Sequence, residues 1–221
     1  MEKALILLSG GMDSATALAA AIKDGYEEVK TISFNYGSKH NNREFEYAEK
    51  LANHYKVSNT RIDITFINDV FKSDLLLSGG EIPEGHYAHE SMIRTVVPFR
   101  NGIMLAIAAG FAESNGLTHI VLSNHTGDHA IYPDCRRQFT DAMGMAIAQG
   151  TYNGIELVNP FGCLNKTEIA KMGSQLEVPY ELTWSCYKGG EIHCGKCGTC
   201  VERKEAFRDA LLKEDPTIYE A

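Results

Sequence analysis

The sequence lacks long hydrophobic runs. Its 221 residues contain no apolar stretch that approaches the ~18 residues of a membrane-spanning helix. The N-terminal apolar run covers only about six residues before Ser9, and no basic region of the kind that opens a secretory signal precedes it. These absences lead us to expect a cytoplasmic protein without a membrane span.

Positive charge is also scarce, because 21 Lys and Arg residues stand against 29 Asp and Glu residues, for a formal net charge of −8. A nucleic-acid backbone is bound through a surplus of Lys and Arg, so this balance opposes a nucleic-acid partner and favours a small-molecule substrate. The 44% hydrophobic and 23% charged residues are typical of a globular protein. The length fits one large domain, alone or with a small appendage.

Strand-like and helix-like segments alternate along the chain. The predicted strands cover residues 4–8, 29–34, 60–64, 119–123 and 156–158. The predicted helices cover residues 14–23, 43–55, 101–113, 136–149, 166–176 and 201–213, the fifth of them after a capping box of Asn165 and Glu168. Because parallel strands need long crossover connections, this order predicts a parallel sheet with helices on both faces. Residues 78–90 predict an irregular loop that is long enough for a lid.

The hexapeptide Ser-Gly-Gly-Met-Asp-Ser at residues 9–14 directly follows the first predicted strand. Its glycines let the backbone approach a phosphate, and the amides of the next helix favour an anion. An acidic residue in such a cradle indicates a bridging cation, so Asp13 suggests Mg²⁺. The alternative is a plain glycine turn with an Asp-Ser helix cap. We predict that the ATP-binding residues are Leu8, Ser9, Gly10, Gly11, Met12, Asp13 and Ser14.

A second informative segment is Tyr-Pro-Asp-Cys-Arg at residues 132–136. Asp134 can accept two hydrogen bonds from a guanine-like edge, Tyr132 can offer a stacking face, and Arg136 can bind a carboxylate in bidentate fashion. Alternatively, the segment is an ordinary turn in which Asp134 caps the following helix.

Three further polar residues lie at predicted helix starts. Arg100 and Asn101 can meet an anion there, or they belong to an ordinary helix start. Lys166 follows a helix cap, where positive charge is unfavourable to the helix dipole, which suggests an anionic ligand such as a phosphate. A solvated surface lysine is the alternative. We include Lys166 with Asp13 and Ser14 among the predicted catalytic residues.

The loop at residues 124–131 is polar and contains His125, Asp128 and His129. These side chains can bind a second metal or nucleotide phosphates. The alternative is a solvated loop whose charges serve only hydrogen bonding.

Four of the six cysteines, Cys186, Cys194, Cys197 and Cys200, form a C-x7-C-x2-C-x2-C pattern. In a reducing compartment such a cluster indicates metal rather than disulfides. Four thiolates close a tetrahedral site, so we predict a structural Zn²⁺, with an iron–sulfur cluster as the main alternative. We therefore divide the chain into an ATP-binding catalytic domain at residues 1–180 and a zinc segment with its C-terminal helix at residues 181–221.

Residues 9–14 resemble the SGGxDS signature of the PP-loop ATP pyrophosphatases, which cleave ATP between the α and β phosphates. The Gly-x-x-x-x-Gly-Lys-Ser/Thr pattern of γ-phosphate-transferring enzymes is absent from the sequence. With the tracts at residues 34–40, 97–101 and 132–136 and the cysteine pattern, the chain resembles the QueC family of 7-cyano-7-deazaguanine synthases over almost its whole length. Phe99 stands where that family usually has Gly, and residues 124–131 depart from its usual Glu-Thr-Asp-x-Ser-Gly.

This resemblance implies an α/β/α sandwich of the adenine-nucleotide α-hydrolase type with a small zinc-binding appendage. It implies that ATP, ammonia and 7-carboxy-7-deazaguanine are converted to 7-cyano-7-deazaguanine through adenylated acid and amide intermediates, in a homodimer. Zn²⁺ and Mg²⁺ with ATP are the implied cofactors. The alternatives are a PP-loop enzyme for a related 7-deazaguanine or another carboxylate, a tRNA thiolase, and a zinc-ribbon binding module that holds ATP as a structural ligand.

Overall fold

The computed structural model describes residues 2–212 and 214–220. Within these residues a parallel sheet is formed by Lys3–Leu7 (β1), Glu28–Asn35 (β2), Ser58–Asp63 (β3), His119–Val121 (β4) and Glu156–Val158 (β5). The strand order is β3-β2-β1-β4-β5, and every neighbouring pair is parallel. The predicted parallel α/β sheet is therefore confirmed.

The α-helices in the described part of the chain are Met12–Asp24 (α1), Asn41–Tyr55 (α2), Phe66–Val70 (α3), Arg100–Ser114 (α4), Arg137–Gly150 (α5), Lys166–Gln175 (α6) and Gly198–Asp209 (α7). Short 3₁₀ turns lie at Glu90–Thr95, Thr126–Ala130, Pro133–Cys135 and Tyr180–Leu182. None of the helices described has the length and apolarity of a membrane span.

The central strand β1 shows how the layers form. Ala4 and Ile6 face a core shared with α1, α2, α6 and α7, whereas Leu5 faces a second core shared with α4 and α5. Successive side chains of a strand point to opposite faces, so one apolar strand supplies both cores. Helices thus cover both faces of the sheet, as the sandwich prediction requires.

The helices differ from the predictions mainly in two places. The short helix α3 was not predicted, because its five residues carry no helical periodicity that a sequence pattern can reveal. Helix α7 begins at Gly198 rather than at residue 201, so that Cys200 lies in its first turn. The predicted end of that helix at residue 213 lies outside the described residues.

The topology places the loops after β1 and β4 side by side. The chain leaves β1 toward β2 on one side, and β4 pairs with β1 on the other. In open α/β sheets such a reversal of strand order opens a crevice at the carboxyl ends of the strands.

Candidate active site

The predicted phosphate loop at residues 9–14 follows β1, and its last three residues form the first turn of α1. Gly10 has a left-handed φ of 83°, and a Cβ there would come within 2.6 Å of the Glu44 carbonyl oxygen on α2. Ser14 Oγ donates to the Gly11 carbonyl oxygen at 3.1 Å and lies 3.1 Å from Ser9 Oγ. The loop is therefore folded tightly over the start of α1, with its hydroxyls at the cleft wall.

Lys166 joins this loop from the first turn of α6. Its Nζ lies 2.5 Å from Asp13 Oδ2 and 3.6 Å from Glu202 Oε2. Burial opposes the charged ammonium, but the carboxylates of Asp13, Glu202 and Asp128 outweigh it and raise the pKa of Lys166. The lysine is therefore a cation at neutral pH, held against the loop by Asp13 and Glu202. The capping box of Asn165 and Glu168 that starts α6 is confirmed.

The carboxylate of Asp13 has one oxygen free for a ligand. Oδ1 is buried and has no hydrogen-bond partner among the described residues. A buried oxygen of this kind suits a hard cation such as Mg²⁺, which binds proteins through one or two carboxylates and substrate phosphates. The donor set at Asp13 therefore fits the cation that the sequence suggests.

The loop after β4 brings His125 and Asp128 to the same end of the cleft. His125 Nδ1 accepts from the Gly127 amide at 3.1 Å, so Nε2 carries the ring proton of the neutral form. Nε2 lies 3.6 Å from Asp128 Oδ1 and 3.9 Å from both Asp13 Oδ2 and Glu202 Oε1. The backbone carbonyl oxygen of His129 instead accepts a hydrogen bond from Arg136 Nε at 2.9 Å.

The other end of the cleft is aromatic, with Tyr36, Tyr132 and Tyr187 near Arg100, and Tyr87 lies between Tyr132 and Asp128. The Arg100 guanidinium lies 5.2 Å from the centroid of the Tyr36 ring and donates from Nη1 to the Tyr36 hydroxyl at 3.2 Å. Burial raises the pKa of Tyr36 to about 12, which keeps this phenol neutral. The predicted residues Arg100, Asn101 and Tyr132 line the cleft with the phosphate loop.

The other two predicted substrate residues, Asp134 and Arg136, do not line the cleft. Asp134 is buried beside the cleft wall and not on it, and its Oδ2 accepts from the Asn101 amide at the start of α4 at 2.8 Å. It therefore caps α4, whereas α5, the helix that follows it, has no side-chain cap. Arg136 is exposed and also lies off the cleft wall.

Phe99 occupies a backbone position that favours glycine. Its φ is 54°, and its ring lies over Gly102, where a Cβ would come within 2.3 Å of the ring. The ring also meets Phe139 edge-on at 5.5 Å between centroids. Contacts with these neighbours hold the strained residue at the start of α4.

The four cysteines meet as a compact group. The sulfurs of Cys186, Cys194, Cys197 and Cys200 all lie within 4.8 Å of one another and are buried. A tetrahedral ion with metal–sulfur bonds of about 2.3 Å separates its sulfurs by about 3.8 Å, whereas an iron–sulfur cluster spreads its ligands over several irons. The spacing therefore fits a single tetrahedral ion, and backbone amides at Lys196 and Cys197 point at Cys194 Sγ at 3.5 and 3.3 Å.

Comparison with known proteins places the chain in a family. The family model described as "Queuosine biosynthesis protein QueC" matches residues 3–211. The chain belongs to the QueC family. It is 54% identical to a 7-cyano-7-deazaguanine synthase of Porphyromonas gingivalis, over 99% of this chain and 98% of that protein. It is 49% identical to a 7-cyano-7-deazaguanine synthase of Desulfotalea psychrophila, over 94% of each chain.

More distant solved structures share the fold of this QueC-family chain. The NMN synthetase of Francisella tularensis has a TM-score of 0.51 at 14% identity, covering 96% of this chain and 78% of that one. The U34-tRNA thiolase NcsA of Methanococcus maripaludis, solved with its [4Fe-4S] cluster, has a TM-score of 0.52 at 12% identity, covering 80% of this chain and 58% of that one. These similarities support the PP-loop type of α/β fold.

Several cleft residues were not singled out from the sequence of this QueC-family chain. Glu202 lies two positions after Cys200, so the turn that orders the cysteines also directs this carboxylate to Lys166. Tyr87 comes from the predicted loop at residues 78–90 and donates to Asp128 Oδ1 at 2.9 Å. That loop is held against the turn between Cys194 and Cys197, because the Gly85 amide donates to the Lys196 carbonyl oxygen at 3.0 Å.

Proposed function

We propose that this QueC-family chain converts 7-carboxy-7-deazaguanine to 7-cyano-7-deazaguanine, with ATP and ammonia as co-substrates. The observation that carries the proposal is a single cleft with two chemically different ends. One end has the phosphate loop with Asp13 and Lys166, and the other has Arg100 within a group of tyrosines. A nucleotide and a planar, anionic heterocycle can thus meet in one pocket.

The first step joins the two substrates. A carboxylate oxygen of the deazaguanine acid attacks the α phosphorus of ATP, and pyrophosphate leaves toward the phosphate loop. The loop amides, Ser14 Oγ and the Lys166 ammonium stabilise the leaving charge. Asp13 would hold Mg²⁺, which supplies further positive charge to the phosphates when bound.

Ammonia then attacks the acyl adenylate, AMP leaves, and a carboxamide remains. A second ATP is attacked by the amide oxygen in the same manner. Loss of AMP and of the nitrogen-bound protons then yields the nitrile. Acid and amide have similar shapes, so the same pocket serves both activations.

Arg100 is the residue best placed to hold the substrate carboxylate, because its guanidinium is in the cleft and can bind in bidentate fashion. Tyr132 and its neighbours Tyr87 and Tyr187 offer stacking faces, and Asn101 adds polar contacts. Direct recognition of the base by Asp134 and of the carboxylate by Arg136 remains a prediction from sequence. The position of the two residues off the cleft wall lends it no support.

The metal and the assembly complete the proposal. The closed four-thiolate site suits a structural Zn²⁺ that holds the segment at residues 181–221 against the catalytic domain at residues 1–180. The family resemblance supports a homodimer that works in the cytoplasm.

A product assay tests the function. Purified protein is incubated with ATP, Mg²⁺, ammonium and 7-carboxy-7-deazaguanine, and base products and AMP are quantified by mass spectrometry. We expect the nitrile and two AMP per nitrile, with the carboxamide as an intermediate. Nitrile formation only from a different 7-deazaguanine, AMP formation only with tRNA, or ATP binding without AMP release would each contradict the proposal in favour of one alternative.

A further inference from the structure

His40 is a buried histidine on the cleft wall to which the steps above assign no role. It lies immediately before α2 and is 3% exposed. Its ring stacks on Tyr187 at 5.0 Å between centroids and meets Tyr36 edge-on at 6.4 Å. A histidine so enclosed is either a packing residue or a proton carrier, and its polar neighbours distinguish these roles.

Those neighbours form a chain that begins at the proposed carboxylate site. Arg100 Nη1 donates to the Tyr36 hydroxyl, whose oxygen lies 3.5 Å from His40 Nε2. The same nitrogen lies 3.4 Å from Glu44 Oε1. Because the hydroxyl oxygen accepts from Arg100, its own proton is free to point at His40.

The remaining contacts concern the second ring nitrogen of His40 and the carboxylate of Glu44. Nδ1 is buried without a hydrogen-bond partner among the described residues. Glu44 is oriented by Asn41, whose Nδ2 donates to Oε2 at 3.4 Å. The charged and titratable groups that face the ring are Glu44 from α2, Tyr36 directly after β2, and Tyr187, which follows Cys186. The Lys39 ammonium next in sequence points away, to the carbonyl oxygens of Asp74, Leu76 and Gly79.

The proposed reaction needs a proton acceptor at this end of the cleft. When ammonia forms its bond to the acyl carbon, the nitrogen becomes positively charged, and the neutral amide forms only when that nitrogen has lost a proton. The adenylation of the acid, which precedes amide formation, only moves negative charge toward pyrophosphate. A base near Arg100 therefore serves amide formation and not activation of the acid.

We propose that Tyr36, His40 and Glu44 form a proton relay that deprotonates the attacking ammonia; this inference rests on the proposed function. The adduct nitrogen gives its proton to the Tyr36 oxygen as that hydroxyl gives its own to His40 Nε2. The imidazolium is stabilised by Glu44, which is partly exposed and passes the proton to solvent. The C–N bond forms, the bond from carbon to the AMP oxygen breaks, and no oxidant or reductant is needed.

The test separates activation from amide formation in a His40→Gln variant. Glutamine keeps a polar group near Nε2 but takes up no proton. His54→Gln, an exposed histidine on the same helix, is the matched control. ATP–pyrophosphate exchange with the deazaguanine acid measures activation, and single-turnover carboxamide formation with ammonium measures the proton-dependent step. Tyr36→Phe serves as a second variant that removes the relay at its other end.

We expect exchange to change by less than about threefold in both relay variants, while amide formation falls by about 10²- to 10⁴-fold, the usual contribution of a general base. At a constant concentration of free ammonia, the residual rate of amide formation in the two variants should rise with pH, because hydroxide then takes the proton in place of the relay. Hydroxylamine is less basic, and its adduct loses a proton to water readily. It should capture the adenylate at nearly the wild-type rate.

Two outcomes would overturn the relay. An equal loss of exchange and amide formation would show that His40 only packs the cleft, and unchanged amide formation would show that the proton leaves elsewhere. Failure of the proposed function is distinguishable, because wild-type protein would then show no exchange with the deazaguanine acid.

Discussion

Lys166 Nζ lies 2.5 Å from Asp13 Oδ2, so the first residue of α6 closes the phosphate loop that follows β1. When no metal cation is bound, the Lys166 ammonium neutralises the negative charge of the Asp13 carboxylate. A polyphosphate that approaches the loop is then not repelled by Asp13. Both residues were predicted to be catalytic, and their direct pairing supports a shared role.

Replacing Lys166 by Met should lower AMP formation by about 10²- to 10³-fold, as loss of one preorganised charge usually does. The apolar stem is kept, so packing changes little. Lys171→Met, an exposed lysine on the same helix, is the control and should turn over normally. Steady-state AMP release measures the effect. Turnover of Lys166→Met close to that of the control would remove this lysine from the mechanism.

Gly10→Ala should destabilise the protein more than Gly25→Ala. Both glycines have a left-handed φ, 83° and 82°, so each variant carries a backbone cost of about 1–2 kcal/mol. A Cβ at Gly25 meets nothing within 4 Å, whereas at Gly10 it would lie 2.6 Å from the Glu44 carbonyl oxygen. We expect chemical denaturation to show a larger loss of free energy of unfolding for Gly10→Ala than for Gly25→Ala. Calorimetry should also show weaker ATP binding by Gly10→Ala. Equal losses would mean that the loop moves freely away from α2.

Asp134→Ala should lower the free energy of unfolding by about 1–2 kcal/mol, because it removes a charged cap from the start of α4. The exposed Asp141→Ala on α5 is the control. Calorimetric titration with ATP and with the deazaguanine acid, run separately, decides whether Asp134 also reads the base. If the variant keeps its stability but binds the deazaguanine acid at least tenfold more weakly, Asp134 recognises the base and contributes little as a helix cap.

Asp215→Asn should lower the free energy of unfolding at neutral pH by about 3–5 kcal/mol, because it leaves the fully buried Arg203 guanidinium without its carboxylate. Burial of Asp215 opposes its charge, but Arg203 outweighs this and lowers the pKa of the carboxyl. A lowered pKa in the folded state gives stability that is present above the unfolded pKa near 4 and is lost as pH falls through the folded value. The difference between variant and wild type should therefore shrink below about pH 4. Asp209→Asn, on the surface, is the control; a difference constant with pH would contradict the ion pair.

Purified protein should contain about one zinc per chain and no visible chromophore, since a closed Zn²⁺ site has no d–d absorption. Cys197→Ser should lose the metal and disorder α7, by circular dichroism, whereas Cys163→Ser, at an exposed cysteine outside the group, should retain both. Elemental analysis gives the metal content. A brown protein with iron and sulfide would identify a cluster instead.

The sequence by itself determined the features that depend on residues close together in the chain. The strands and most helices follow from residue periodicity, the α6 cap from Asn165 and Glu168, and the phosphate loop from glycines and hydroxyls within six residues. The cysteine group is equally local, because short spacings around two glycines bring its ligands together. Each of these features arises from interactions between residues that are near in the chain.

Only the tertiary structure decided which side chains share the cleft. The parallel sheet brings the ends of β1, β2 and β4 to one edge, and crossovers then deliver α4, α6 and α7 to the same place. Lys166 thereby meets Asp13, 153 positions away in the chain, and Glu202 reaches Lys166 from α7. Asp134, for which the sequence offers a cap on its own helix as one alternative, caps α4 and not α5. Such contacts depend on the packing of whole elements, and no spacing along the chain encodes them.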